Sequence, residues 1–314
     1  PAYTFDVTVD RIDADRYLPP KIGEKAKPPE KPLDFSFLKK LNASGRISIG
    51  SLKLYNVRST NIRLEIRAGN GRLDVNPLSA SLYQGNLSGA LSVAAEGPAV
   101  AARQNLRGVS LGPLLKDALD KDLLEGRGNV SLDVAAKGPT VGAMKKALQG
   151  KAALEVRDGA IRGINIAGAI RGAKQQLGAL RGERTQGASG TEKTDFSELR
   201  ASFDIRDGIA RNSDLVAKSP LLRLAGNGDI DIGGGAMNYL AKATVVATLE
   251  GQGGRELAAL RGMTIPVRVS GPFTALKYTL DFDAMAGEVV RQQVEQKKEE
   301  VKSRVEEQVK EKMK

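Results

Sequence analysis

Between Thr194 and Gly233 the chain reads as successive strands, broken by a tight turn and a polar loop, in which apolar and polar residues alternate with period two, and that pattern dictates a sheet with one greasy face. Ala201, Phe203 and Ile205 alternate with Ser202, Asp204 and Arg206. Asp207-Gly208 follows, a pair suited to the two positive-φ positions of a tight hairpin. After Ile209 come the polar run Arg211-Asn212-Ser213-Asp214, then Leu215 and Lys218-Ser219-Pro220. Leu222 and Leu224 resume the alternation, which holds through Gly226 and Gly228 to Ile230 and Ile232, with Asp229 and Asp231 on the other side. Residues two apart on a strand share a face, so the apolar set is committed to one side.

The same unit occurs earlier. Ile62, Leu64 and Ile66 alternate with Arg63, Glu65 and Arg67, and Asn70-Gly71 stands where Asp207-Gly208 stands later. Leu73, Val75, Leu82 and the run Leu87, Gly89, Leu91, Val93 follow. A partial copy has Ala152, Leu154 and Val156, then Asp158-Gly159. Glu65-Ile66-Arg67, Glu155-Val156-Arg157 and Asp204-Ile205-Arg206 each lead into an expected glycine turn. Recurrence at about forty residues suggests modules stacked along one axis; any meander of antiparallel strands also repeats strand and turn.

Around these units the chain divides into four parts. Residues 1–18 open with Tyr3, Phe5, Val7 and Val9, a strand expected to continue an upstream sheet, and 19–33 form a Pro- and Lys-rich linker. Residues 34–283 form the repeated-strand domain. Within it, short helices are expected at Phe35–Leu41 behind Asp34, from Pro113 to Leu119, behind Thr140 as far as Gly150, and near Glu256–Leu260. A longer helix is expected from Ile166 to Gly182, followed by a polar loop to Lys193. Ile47 and Ile49 fall out of phase with Leu52 and Leu54, which places a bulge or turn at Gly50-Ser51. Val130 to Val134, Ala241 to Ala247, Ile265 to Val269 and Leu276 to Phe282 read as strands, and 284–314 as a polar helix with a thin valine stripe.

Little chemistry is available. The chain has no Cys and no His, which excludes thiol nucleophiles, disulfides, imidazole bases and His or Cys metal sites. Asp13 with Asp15, and Asp229 with Asp231, have strand-face spacing that a divalent ion could use, although solvated faces account for them. Gly251-Gln252-Gly253-Gly254 lacks the Lys-Ser/Thr ending of a phosphate loop. No catalytic residue and no cofactor is expected. A net charge of +11 permits nucleic acid or an anionic membrane as partner. Aromatic residues are only 4%, however, and the cations are spread over strand faces, so no nucleic acid is expected. No apolar run approaches the roughly 20 residues that span a bilayer. The chain begins at Pro1 inside a strand-like pattern, and any anchor is expected upstream.

Several phrases resemble the carboxy-terminal part of AsmA-family proteins. They are Asp13-Ala14-Asp15-Arg16-Tyr17-Leu18-Pro19, Leu82-Tyr83-Gln84-Gly85, Asp158-Gly159-Ala160-Ile161, the run from Arg206 to Leu215, Lys218-Ser219-Pro220-Leu221-Leu222, and the run from Leu260 to Phe273. None is a catalytic signature; their order and number carry the likeness. The resemblance implies an envelope protein of Gram-negative bacteria, periplasmic and held at the inner membrane by an amino-terminal helix that this chain lacks. It also implies likeness to chorein-type bridge proteins, whose curled sheet shields lipid, with roles in phospholipid movement and outer-membrane biogenesis.

The expected fold is therefore mainly β: a long curled antiparallel sheet forming an apolar groove, with a few helices and a carboxy-terminal one. The expected function is a bridge-like phospholipid carrier between inner and outer membrane, and not an enzyme. The expected lining is Ile62, Leu64, Ile66, Phe203, Ile205, Leu222, Leu224, Ile230, Val267 and Leu280. For each of them, ordinary core is the plainer alternative. The second reading is an envelope assembly factor that binds outer-membrane protein precursors along open strand edges. A closed sandwich acting on envelope polymers through Asp229 or Asp231 is the third. Period two alone does not separate a trough from a sandwich.

Overall fold

The computed structural model describes residues 2–17, 30–168, 184–187, 189–246 and 262–280. Its strands are β1 (Tyr3–Asp13), β2 (Ala43–Leu54), β3 (Val57–Gly69), β4 (Arg72–Leu82), β5 (Gly85–Ala94), β6 (Ala99–Ser110), β7 (Leu124–Lys137), β8 (Gln149–Gly163), β9 (Arg184–Gly187), β10 (Ser189–Arg206), β11 (Ile209–Lys218), β12 (Leu222–Asp231), β13 (Ala236–Val245), β14 (Thr264–Pro272) and β15 (Lys277–Leu280). All belong to one 15-stranded sheet, curled but not closed, with β1 and β9 at its edges. Neighbours pair antiparallel except β1 and β2, which run parallel from Tyr3 opposite Ala43 to Asp13 opposite Lys53. The rest of the sheet is antiparallel, as expected; β1 joins it in parallel. A parallel neighbour needs a long return connection, and residues 14–42 supply it.

The turns follow from local chemistry. Both residues of Asn70-Gly71 and of Asp207-Gly208 have positive φ, as expected. Tyr55-Asn56 and Tyr83-Gln84 do the same without glycine. Such turns match the right-handed twist of the strands they join. The third copy of the unit departs: Asp158 has φ 48, but it lies inside β8, where the β7 ladder slips between Arg127 and Glu125. It is a bulge, not a hairpin turn. No turn or register shift interrupts β2 at Gly50-Ser51, where a bulge or turn was expected; instead Asn61, opposite Gly50, has φ 52, and Val9, Ile12, Ile49 and Leu52 gather in one cluster.

Bulges recur in the ladders of β4 with β3 and β5, of β6 with β7, and of β10 with β11. Each adds a residue to one strand and increases local twist and bend, which curls a sheet this wide. The bulge at Asn212–Leu215 is held by a polar network. Asp214 accepts from the Ser202 amide at 2.8 Å and the Ser202 hydroxyl at 2.6 Å, while Asn212 donates to Ser202 O at 2.7 Å. The Tyr239 hydroxyl donates to Asn212 Oδ1. Its ring lies over Gly226 and Gly228, where a Cβ would come within 2.8 Å of it. Burial, and then the Asp214 charge, push the Tyr239 phenol above its usual range; hydrogen bonds from Ser202 hold the Asp214 carboxyl below its own.

Strand ends form two rims. One carries the Tyr55-Asn56 and Tyr83-Gln84 turns, the 3-10 turn Ala14–Tyr17 and helix α1 (Leu111–Leu119). The other carries the two glycine hairpins, the 3-10 turn Ser36–Lys40 and helix α2 (Val141–Lys146). The expected helix at Phe35–Leu41 is thus a single 3-10 turn, whose Ser36 amide donates to Asp34 at 2.8 Å. Thr140 caps α2 by accepting from the Ala143 amide at 3.1 Å, but Val141 is exposed rather than packed. The polar loop expected up to Lys193 is instead partly strand, in β9 and the start of β10. The greater part of the helix expected from Ile166, the Glu256–Leu260 turn, Phe282 and the tail lie outside the described residues.

A comparison of two glycines tests the turn geometry. Gly208 has φ +73 and its Cβ would lie 2.4 Å from the Lys145 carbonyl oxygen; Gly235 also has φ +73 but open space around it. Gly235→Ala should cost about 1 kcal/mol, the left-handed penalty alone. Gly208→Ala should cost clearly more by urea denaturation, because α2 must also move.

Candidate functional site

Residues paired across a ladder project from the same face of the sheet, so the register can be followed from strand to strand. Leu64 stands opposite Ile47 and Leu78; Ile66 opposite Gly45 and Val75; Ile62 opposite Ile49. The same face continues through Leu91, Ala102 and Val134 to Gly150, then Ile205 and Ala210. Phe203 is opposite Ala152 on it. Ile230 follows opposite Ala210, Leu224 opposite Ala217 and Ala243, Leu222 opposite Val245 and Val267 opposite Ala241. Leu280 is the ladder partner of Val267. The expected lining positions of β3, β10, β12 and β14 therefore all belong to one face. The other face carries exposed Arg63, Glu65, Arg67, Asp204, Arg206, Arg223 and Arg268.

Exposure divides the apolar face into zones. Across β10 to β14, Leu222 and Val267 are 0% exposed, and Leu199, Leu224, Val245 and Ile265 are buried with them. What covers them includes the chain after β8: Ile164 and Ile166 belong to the same core. Buried Thr194 pins that segment, accepting from the Ile166 amide at 3.1 Å and donating to Ile164 O at 2.7 Å. At the other end, Ile49, Ile62 and Ala80 form a small buried cluster with Leu64 packed beside it. Between them, Leu91 and Val93 on β5, Val100 and Ala102 on β6, Leu132 and Val134 on β7, Ala152 on β8 and Phe203 on β10 are only half-buried and belong to neither cluster. This band is the candidate site: an apolar strip, several strands wide, with a packed core on either side. Leu222, Leu224, Val267 and Ile205 share its face but are buried; Phe203, Leu64, Ile66 and Ile230 are half-buried.

One polar side chain interrupts the band. Gln104 stands opposite Gly89, donates to the Ala90 carbonyl at 2.8 Å, and leaves its Oε1 buried without a partner. Among the described residues no cluster of three or more acidic side chains could hold a metal ion. The two carboxylate pairs are spoken for. Asp229 faces Arg211 at 3.7 Å and Asp231 accepts from the Gly234 amide at 2.6 Å. Asp13 ends β1, whereas Asp15 lies in the following 3-10 turn and accepts from the Tyr55 and Asn56 amides, so the two do not share a strand face. Those hydrogen bonds, Asn56 first, hold the Asp15 carboxyl below its ordinary range.

Strand β6 is absent from the sequence reading, and with it Val100 and Ala102. Its inward positions, Val100, Ala102, Gln104 and Leu106, mix small and polar residues and give weak alternation. Leu132 and Val134 were legible as a strand, between Ser131 and Asp133, but nothing local marks them as more open than Leu222.

The AsmA-family profile matches residues 23–215, which contain β2 through most of β11. The chain belongs to the AsmA family. It is 22% identical over 228 residues to Protein AsmA of Escherichia coli (strain K12), a stretch covering 72% of this chain and 36% of that protein. The chain thus spans about a third of the length of that relative. No solved structure matches it. Among the described residues no helix is long and apolar enough to cross a membrane.

The division into core and open strip has an energetic test. Leu222→Ala, at a fully enclosed site, should cost about 2–5 kcal/mol. Leu132→Ala, already half in contact with solvent, should cost markedly less by urea denaturation. Equal losses would mean that the band is as closed as the core.

Proposed function

We propose that this AsmA-family chain carries phospholipids in the periplasm, as one stretch of a bridge between inner and outer membrane, with acyl chains lying along the open band of β5 to β8 and β10. The observation behind the reading is that half-buried strip, Leu91, Val93, Val100, Ala102, Leu132, Val134 and Phe203, on a face whose two flanks are packed. An acyl chain of about sixteen carbons costs on the order of 12 kcal/mol to expose to water, at ~0.8 per CH₂. A continuous apolar strip removes most of that cost and favours no single position, so a chain can slide without chemistry. Sliding requires no catalytic residue and no cofactor, and direction has to come from outside the strip. In this reading the core around Ile164, Ile166 and Leu222 is where the acyl path stops.

The assembly-factor reading keeps one supporting observation. Edge strand β1 presents exposed Tyr3 and Val7, a surface to which a precursor strand could add.

Site-specific photocrosslinking in cells separates the readings. A photoreactive residue at Leu132 or Phe203 should give phospholipid adducts, and one at outward Asp204 should give none. Adducts to unfolded barrel proteins at Val7, with no lipid at Leu132 or Phe203, would replace the carrier reading with the assembly reading.

A further inference from the structure

Among the described residues, large exposed apolar side chains gather on the rim that carries α1. Tyr17 is 86% exposed, Tyr55 62% and Leu119 57%, with Leu54 beside Tyr55. They sit on separate connections, the 3-10 turn after β1, the β2–β3 turn and the end of α1, yet two carboxylates tie these connections together. Asp15 accepts from the amides of Tyr55 and Asn56 and faces Lys53 at 3.4 Å. Asp117 of α1 accepts from the Tyr83 hydroxyl at 2.6 Å and faces Arg58 at 3.9 Å, while the Arg58 amide donates to the same Tyr83 hydroxyl at 3.2 Å. The exposed side chains are therefore presented by a braced plate rather than by independent loops.

The ion pairs of this plate are oriented. The Arg16 side chain is 80% exposed against 33% for its partner Asp13, and Arg58 is 76% exposed against 28% for Asp117. Lys53 is likewise more open than Asp15. In these three pairs the carboxylate faces inward as a brace and the cation outward; at the α1–β7 connection the order is reversed, Asp120 and Asp122 being more exposed than their partners Lys116 and Arg162. A surface of tyrosine and leucine tips among outward arginines matches the interfacial layer of an anionic bilayer: amphipathic rings sit at headgroup level, leucines enter the acyl boundary and guanidinium groups meet phosphates.

We propose that this rim, through Tyr17, Tyr55, Leu119, Arg16 and Arg58, docks onto the surface of an anionic phospholipid membrane. The proposal stands apart from the carrier reading, because it rests on the rim and not on the apolar strip.

The chain has no Trp, so one introduced indole reports its surroundings without background. Tyr55→Trp and Tyr17→Trp proteins are titrated with vesicles of phosphatidylglycerol and phosphatidylcholine, and with vesicles of phosphatidylcholine alone. Val216→Trp, at an exposed site on the polar face of β11, is the control. A blue shift at both rim positions with the anionic vesicles, absent at position 216 and reduced by Arg16→Glu with Arg58→Glu, is the expected result. Circular dichroism melting of each protein confirms that it is folded. No shift at the rim, or an equal shift at position 216, would overturn the proposal; the first outcome would point to a protein partner for these side chains.

Discussion

A single sheet with one apolar face has to hide that face, and the rest of this molecule is arranged around how far it does so. In a sandwich a second sheet would cover it. Here bulges and twist curl one sheet of 15 strands, so that the apolar face is sheltered by its own curvature and, among the described residues, packed only at its flanks. Around Leu222, Val267 and Ile265 it is a closed core; around Leu132, Val134 and Phe203 it is half open. The same alternation of residues therefore does two jobs, stabilising the fold at one end and leaving hydrocarbon unsatisfied in the middle.

The polar details serve that geometry. The Asn212–Leu215 bulge bends β11 while Tyr239, seated over Gly226 and Gly228, donates to the Asn212 side chain that itself donates to Ser202 O. Thr194 uses one hydroxyl to satisfy two backbone groups of the crossing segment. In that segment Ile164 and Ile166 reach the core while its buried amide and carbonyl keep partners. An unsatisfied buried backbone group costs on the order of 1–3 kcal/mol, so such a strap needs its polar partner as much as its isoleucines.

Much of this was legible beforehand because period two is unambiguous. Ile62 to Ile66 and Phe203 to Ile205 announced both strand and face, and the Asn-Gly and Asp-Gly pairs announced their turns. Three things were not legible. The turns Tyr55-Asn56 and Tyr83-Gln84 adopt positive φ with no glycine in either pair, and of the four residues only Asn56 commonly takes the left-handed region. Asp158-Gly159 has the same local chemistry as Asp207-Gly208 yet becomes a bulge, because β8 pairs on both sides there and the two ladders carry the strand on past the left-handed Asp158. Above all, Leu222 and Leu132 look alike in sequence. Whether a leucine is sealed or open depends on what crosses over it, and Ile164 and Ile166 lie far from Leu222 along the chain. Of the phrases that carried the family resemblance, Leu82-Tyr83-Gln84-Gly85, Asp158-Gly159-Ala160-Ile161 and the run from Arg206 to Leu215 contain turns or bulges with positive φ, where the backbone restricts the residue.

Native mass spectrometry of the chain, extracted from cells without detergent, tests the central claim most directly. The open strip predicts diacyl phospholipid bound to the wild-type chain and lost when Leu132→Asp is combined with Leu91→Asp. Protein free of lipid, or lipid retained unchanged in the doubly substituted chain, would contradict it.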